Sequence, residues 1–578
     1  MKNVLAGVVA AVEAEGERLR EEFYRPSGPR GHHGDAPIDR EIEERLREKL
    51  QKLLPAAFAG EETGLTPGTQ TDWTWLVDPQ DGTFEFTSGR RGSSIAVALL
   101  RGGDAVLGVV HSPLSPDRGA DTIAWAEGAN AILRNGKPVK AGLAGRRLAA
   151  GEIVWATGSS ALRPATWSSA VAPARYVAMP SIAYRMARVA VGDGIATVST
   201  HPVNEYDVAA GIALIRAAGG VVLDADGREM ALTGSPSVRV SGVYAGAPEA
   251  ARKLAEFKWN LLDEEPRRVQ RVALAFPRKR LDTQLERAQG CLLGQVAGDS
   301  LGSLVEFKTA REIAALHPLG LHDLADGGVY HTIAGQPTDD SEMALALARS
   351  IFHHKTFNKD RVLDSYREWM TTRPIDIGET TERGLLGLHT SESESNGSLM
   401  RVSPIGLWSA GDPARAAAAA REDSALTHPN PLCLEACAAF SAAIAAGVAG
   451  ASRKEMVKAA LGHCTGPARE AIERNALPET FDRPHALTSL QNAFYRLSSK
   501  ASVEESLVAT VGCGGDTDTN GAIAGALLGA LHGREAFPKR WILPVLACRP
   551  LAEAADPRPR PMEYWPDDVL DLAEALLG

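Results

Sequence analysis

Hydrophobic and polar positions alternate along this chain in two rhythms, and the change between them divides it. Over residues 2–24 and 39–53 apolar side chains recur every three to four positions, which predicts amphipathic helices. WTWLVDP, SSIAVALL and AVLGVVHS are short runs rich in Val, Ile and aromatics, and they predict strands. VAAGIALIRAAGG has helical spacing and closes on a glycine pair, and VVLDADG behind it predicts another strand. Helices interleaved with strands in this way predict a layered α/β domain.

The second rhythm begins near residue 282. EACAAFSAAIAAGVAG and GAIAGALLGALHG are made of small and apolar residues in helical periods, and strand signals become scarce. This predicts an all-α domain over 282–578 whose small residues let helix backbones approach closely. Between the two lies EEPRRVQRVALAFPRKR, charged, with two prolines and no strong period. The expected division is therefore a domain at 1–263, a linker at 264–281 and a domain at 282–578. No apolar run reaches 18 residues, so no membrane span is expected.

Length agrees with this division, because 578 residues exceed what one core holds. Composition changes little: 44% hydrophobic and 23% charged is an ordinary globular balance. The net charge of -10 argues against non-specific binding to nucleic acid or to anionic membranes. All six cysteines lie in the second half, none in a C-x-x-C pair or at zinc spacing from a histidine. Reduced, mostly buried thiols and a cytoplasmic location are expected. The N-terminal stretch runs straight into acidic residues in helical rhythm, unlike a signal peptide.

Candidate chemistry sharpens the picture. Four acidic segments stand out in the first half: Asp39, the pair Glu61-Glu62, the run Asp78-Pro79-Gln80-Asp81-Gly82-Thr83, and Asp207. In the run, Pro and Gly turn the chain after a strand, so that two carboxylates and a carbonyl can face one point. Such an all-oxygen set suits magnesium. Asp207 is expected at or near a helix start, where free N–H groups also favour a phosphate. A single Asp-Gly is usually only a turn, but four such segments beside element ends point to a site.

With GEE, DPQDGT, YDVAAG and SIAYRMARVAVGDG in place, residues 1 to about 262 resemble the inositol monophosphatase superfamily. The run DGTFEF is similar to the branch acting on 3′-phosphoadenosine 5′-phosphate. The resemblance implies an αβαβα sandwich and magnesium held by Glu61, Asp78, the carbonyl of Gln80, Asp81 and Asp207. It implies that Asp39 and Thr83, with Glu61, are catalytic and orient the attacking water, and that Arg185 contacts substrate. The chain departs from the pattern at Tyr206, where the family usually has Trp, at Arg185, where Lys is common, and at Ala36-Pro37, which replaces a Thr. Neither Tyr206 nor Ala36-Pro37 removes a ligand.

The second half has its own cluster: Asp299 and Glu306 in GDSLGSLVEF, Thr338-Asp339-Asp340, and Gly514-Gly515-Asp516-Thr517-Asp518-Thr519. Helix capping explains one Asp or Thr at each helix start. It does not explain Thr-Asp-Asp or Asp-Thr-Asp-Thr, because crowded like charges are costly unless something neutralises them. These segments, with SNGSLMR, LTHPNP and GGDTDTNGAIAGALLGA, resemble the ADP-ribosylglycohydrolases over nearly all of 285–535. The resemblance implies one metal on Thr338, Asp339, Asp340 and Asp518 and another on Asp516, Asp518 and Thr519, with Asp340 and Asp518 catalytic. It places Asp299, Glu306, Asn396, Gly397, Ser398, Met400, His428, Gly514 and Gly515 among the substrate contacts.

The reading is therefore a bifunctional hydrolase using two or more Mg2+ ions in each domain, with Mn2+ as the substitute. One half would cleave ADP-ribose from a protein arginine or a small molecule. The other would remove a phosphomonoester from a nucleotide or sugar phosphate. The alternative is a glycohydrolase regulated by a nucleotide-binding, catalytically weak phosphatase-like domain. Phosphatases similar to the first half dimerise, which implies a homodimer through it.

Overall fold

The structure is a computed structural model, and it describes residues 1–32, 34–140, 142–259, 281–388, 391–554 and 556–577. The chain forms two compact units. The linker expected over 264–281 lies outside the described residues apart from Leu281.

The N-terminal unit holds thirteen strands among the described residues, in two sheets. They are β1 (Ala56–Gly60), β2 (Gly64–Thr66), β3 (Gln70–Asp81), β4 (Ser94–Arg101), β5 (Asp104–Ser112), β6 (Asp121–Ala126), β7 (Ile132–Arg134), β8 (Lys137–Val139), β9 (Ile153–Ala156), β10 (Arg175–Ala178), β11 (Ala196–Asn204), β12 (Val221–Leu223) and β13 (Arg239–Gly246). The larger sheet runs β2-β1-β3-β4-β5-β6-β7-β8 and is antiparallel except for β1 beside β3. The smaller runs β10-β9-β11-β13-β12.

Helices Lys2–Phe23 and Pro37–Leu53, both expected from periodicity, cover one face of the larger sheet. Helices Ile182–Ala190 and Glu205–Ala217 pack between the two sheets, and Pro248–Glu256 covers β12 and β13. The layers are αβαβα. The central strands β4 and β5 read as continuous apolar runs because helices bury both their faces. Gly108 of β5 lets the helix Glu205–Ala217 approach: a methyl there would meet Ala210.

The C-terminal unit is helical, with no strand among its described residues. Its axis is a pair of antiparallel helices, Asp282–Gly302 and Thr517–His532. Glycines recur every fourth residue on both, at 290, 294, 298 and 302 and at 521, 525 and 529, with Gly533 capping the second. A methyl on Gly294 would stand 2.8 Å from the carbonyl carbon of Gly525 and closer still to its oxygen. Gly290 and Gly298 meet Gly529 and Gly521 in the same way. The two backbones touch directly, and the ladder ends at Gly302 against Thr517 and Asp518.

One helix here, Pro431–Val448, is long and apolar enough to cross a membrane, with mean hydropathy 1.7. Glu435 interrupts it, so the expectation from uninterrupted run length is not contradicted. The helix is 72% buried inside the protein, and its apolarity is that of a core helix contacted from several sides. All six cysteines are free; five are buried and Cys513 is partly exposed.

Candidate active sites

In the N-terminal unit the site grows from the end of β3. Its pairing with β4 slips between Asp78 and Asp81. Such an irregularity at a sheet rim re-aims side chains. The amide of Gln80 donates to Asp78 Oδ1 at 2.8 Å. Gly82, at φ 96, turns the chain into the short helix Thr83–Thr87. The hydroxyl of Thr83 lies 2.8 Å from the Gln80 carbonyl and 3.1 Å from Asp39 Oδ2, in the first turn of helix Pro37–Leu53.

Two helix starts complete the cluster. Asp81 Oδ2 accepts from Ser181 Oγ at 2.6 Å and from the amide of Ala183 at 2.7 Å. Asp207 stands in the first turn of Glu205–Ala217 and accepts from the Asn204 amide at 2.7 Å, closing a capping box. Glu61, directly after β1, stands with Asp81 and Asp207 close enough to Asp78 to repel its charge. The Tyr206 hydroxyl donates to Glu61 Oε1 at 3.4 Å.

Burial, and then mutual repulsion, pushes these acids up: Glu61 to about 7, and Asp78 and Asp207 well above the carboxylate range. Asp81 is raised to about 6 by burial, against its bonds to Ser181 and Ala183. Burial raises Asp39 to about 8, and its Oδ1 has no partner. A buried set that is costly as bare anions, with an oxygen left over, fits a cation.

Arg185 differs from the sequence expectation in its surroundings. It is buried, donating to Ser181 O, Thr197 Oγ1 and Val198 O, and its charge lowers Asp81. It braces the turn that carries Ser181.

In the C-terminal unit the glycine ladder brings the end of one helix to the start of the other. Asp299 is fully buried; it accepts from the Thr338 amide and hydroxyl and from the Ser341 amide, each at 3.0 Å. It thereby caps helix Asp339–His354. The Thr338 hydroxyl also lies 3.0 Å from Asp340 Oδ2. Asp516 Oδ2 accepts from Asn396 Nδ2 at 2.6 Å, and the Thr519 amide donates to Asp518 Oδ1 at 2.9 Å.

Glu306, Asp516 and Asp518 present carboxylate oxygens within 4.8 Å of one another. With Asp339 and Asp340 they line a cavity of about 800 Å³. Glu306 Oε2 and Asp340 Oδ1 are buried without partners. Burial and neighbouring acids raise Asp339, Asp340 and Asp518 well above the ordinary range. Burial raises Glu306 to about 7 and Asp299 to about 6. This set fits a divalent cation too.

The chain belongs to the ADP-ribosylglycohydrolase family. Residues 280–575 match the model of that family. The chain is 31% identical over 272 residues to the ADP-ribosyl-[dinitrogen reductase] glycohydrolase of Rhodospirillum rubrum, across 44% of this chain and 89% of that protein. It is 24% identical over 288 residues to the ADP-ribosylarginine hydrolase Tri1 of Pseudomonas putida (strain GB-1), across 45% and 74%. The N-terminal unit belongs to a second hydrolase family. Residues 2–261 match the inositol monophosphatase family. The inositol-1-monophosphatase of Rhizobium meliloti (strain 1021) is 30% identical over 267 residues, across 43% of this chain and 93% of that protein.

Within this glycohydrolase unit, Asn396, Gly397, Met400, His428 and Gly515 line the same cavity as the carboxylates. Asp299, Thr338, Ser398 and Gly514 are not among the residues that line it, although the Thr338 hydroxyl touches the lining residue Asp340. Ser398 is buried, accepting from Ser424 Oγ at 2.8 Å. Gly514 forms a bridge with Thr309. His428 Nε2 meets Ser395 Oγ at 2.9 Å and Nδ1 meets Thr427 Oγ1 at 2.7 Å; burial, then Arg401, lowers it to about 3.

Sequence reasoning missed Asp376, which lines the cavity and accepts from the Tyr330 hydroxyl at 3.0 Å. It sits alone in RPIDIGET, without the doublet that marks the other acids. It also missed Ser181 and Ser489, single serines whose partners are distant in sequence.

Proposed function

We propose that this chain is a bifunctional magnesium-dependent hydrolase. The C-terminal unit releases ADP-ribose from a protein arginine or a small-molecule acceptor. The N-terminal unit removes a phosphomonoester from a nucleotide or sugar phosphate. The observation that carries the reading is the convergence of Glu306, Asp339, Asp340, Asp516 and Asp518 on one cavity, where Glu306 Oε2 and Asp340 Oδ1 have no partner. The name of the Pseudomonas putida relative supports arginine as acceptor.

In the glycohydrolase unit Thr338, Asp339, Asp340, Asp516, Asp518 and Thr519 would hold the metals, with Glu306 beside them. In the other unit Glu61, Asp78, the Gln80 carbonyl, Asp81 and Asp207 would do so. Bound metal would supply charge neutralisation and lower the pKa of a bound water. Asp340 Oδ1, free of any partner, takes the proton of the attacking water. Asn396 keeps Asp516 aimed into the cavity. Asp39 and Thr83 orient water for attack on phosphorus. Six free thiols support a reducing compartment such as the cytoplasm.

The test is direct. Purified protein with magnesium is given ADP-ribosyl-arginine, 3′-phosphoadenosine 5′-phosphate or an inositol phosphate, and ADP-ribose or phosphate is measured. Turnover in each class supports both activities. No turnover of any of them, with metal demonstrably bound, sinks the reading. Unchanged phosphate release in Asp81→Asn would remove the N-terminal assignment.

A further inference from the structure

Phe307 combines three features that folding alone does not favour. It is 70% exposed although large and apolar. Its backbone stands at φ 63, in the left-handed region that bulky residues avoid. It lines the same cavity as the carboxylates, directly after Glu306.

The conformation is imposed from both sides. The Phe307 amide donates to Gly515 O at 2.9 Å, and the Gly515 amide donates to Lys308 O at 2.9 Å. Gly514 and Gly515, at φ 77 and 76, leave no room for the segment to relax: a methyl on Gly514 would lie 2.6 Å from the Ala310 nitrogen. The loop carrying Asp516 thus clamps the loop carrying Glu306. A strained residue held by its surroundings is a pointer to function.

The charge of the cavity narrows what the ring meets. The lining holds eight carboxylates, at Glu306, Asp339, Asp340, Asp376, Glu379, Asp482, Asp516 and Asp518, against Lys308 and Arg483. Two divalent ions would still leave it negative, and the diphosphate of ADP-ribose would add to that. An aromatic ring in a cavity with an excess of carboxylates suits a planar cation.

We propose that Phe307 is the specificity-determining platform on which the departing guanidinium of the acceptor stacks. This rests on the glycohydrolase reading above. The position supports the acceptor rather than the adenine end, because Phe307 adjoins Glu306, one of the three clustered carboxylates, where the anomeric carbon would react.

The test uses the full chain with magnesium. Phe307→Ala should raise KM for ADP-ribosyl-arginine about tenfold, the scale of a lost cation–π contact, with kcat within twofold. Phe307→Tyr should restore the wild-type KM. Binding of free ADP-ribose, which lacks the acceptor, should be unchanged in Phe307→Ala by calorimetry. Phe307→Gly, which relieves the backbone, should melt no lower than wild type, so a folding defect is separable. Wild-type protein inert on ADP-ribosyl-arginine overturns the glycohydrolase reading itself. Wild-type turnover with an unchanged KM in Phe307→Ala, or a tenfold weaker affinity for free ADP-ribose, overturns the role of Phe307 alone.

Discussion

Replacing Gly294 by alanine tests whether backbone contact between two helices builds the glycohydrolase site. The added methyl would lie 2.8 Å from the carbonyl carbon of Gly525. Carbon atoms prefer about 3.5–4.0 Å, so the helices must part by roughly 0.7 Å or more. The obstacle is backbone in a helix, which no rotamer change can move. Overpacking of this kind costs about 1–3 kcal/mol, and the better helix propensity of alanine returns roughly 1 kcal/mol. A net loss of about 1 kcal/mol should lower the melting temperature of the helical unit by about 3 °C in calorimetry. Asp299 lies little more than one turn away on the same helix, and Asp516 and Asp518 open the other. A displacement near 1 Å between them should reduce release of ADP-ribose roughly 100-fold. Gly462→Ala is the control: that exposed helical glycine has nothing within 4 Å of the added methyl, and its stability should be unchanged or rise by up to about 1 kcal/mol. Gly294→Ala with wild-type melting and activity would refute the ladder argument.

Other consequences follow from the same geometry. His111 and His428 are buried neutral, with burial lowering them to about 4 and about 3. Above pH 6.5 neither folded nor unfolded chain protonates them; below it only the unfolded chain does, so each removes stability as pH falls from about 6.5 toward its folded value, by up to about 1.4 kcal/mol per unit. The stability difference between wild type and His111→Gln should therefore shrink steadily over that window in denaturant titrations, and a pH-independent difference would contradict it. Asp340→Asn removes one of several crowded acids, so the metal-free protein should melt no lower than wild type while the magnesium-induced rise in melting temperature falls and ADP-ribose release drops at least 100-fold; full activity would exclude the proposed role. Asn396→Ala leaves Asp516 without its 2.6 Å donor and should weaken metal binding about 10–100-fold by calorimetry, the usual scale for losing a group that orients a ligand.

What the sequence made legible was local. A layered α/β half and a helical half were readable because period 2 and period 3.6 patterns reflect burial directly, while the αβαβα order came only with the family resemblance. Asp78 and Asp81, or Asp339 and Asp340, announce themselves by crowding charge into a few residues. The same reasoning could not distinguish open acids from capping ones. Asp299 looks like a cavity residue in GDSLG, yet its oxygens are occupied by Thr338 and Ser341. Arg185 looks like a substrate contact, yet its guanidinium is bound within the unit. These distinctions depend on partners up to 42 residues away, which spacing does not encode. The glycine ladder was half visible: small residues in helical periods implied close packing, but the pairing of Gly294 with Gly525 needed the fold.

The two sites reach the same end by the same device on unrelated folds. Asp207 sits in the first turn of its helix, as do Asp339, Asp340 and Asp518, and Asp516 occupies the N-cap position. A helix start offers free N–H groups and a partial positive charge worth roughly 0.3–1 kcal/mol to a nearby carboxylate, more when partly buried. That is small beside the cost of a buried anion, so the helix ends lessen the repulsion without cancelling it. The raised pKa values of Glu61, Asp81 and Glu306, all near neutrality, are the remainder. Each cluster is thus stable enough to fold and still short of positive charge. A stronger cap on every acid would have stabilised the fold and removed the reason to take up a cation.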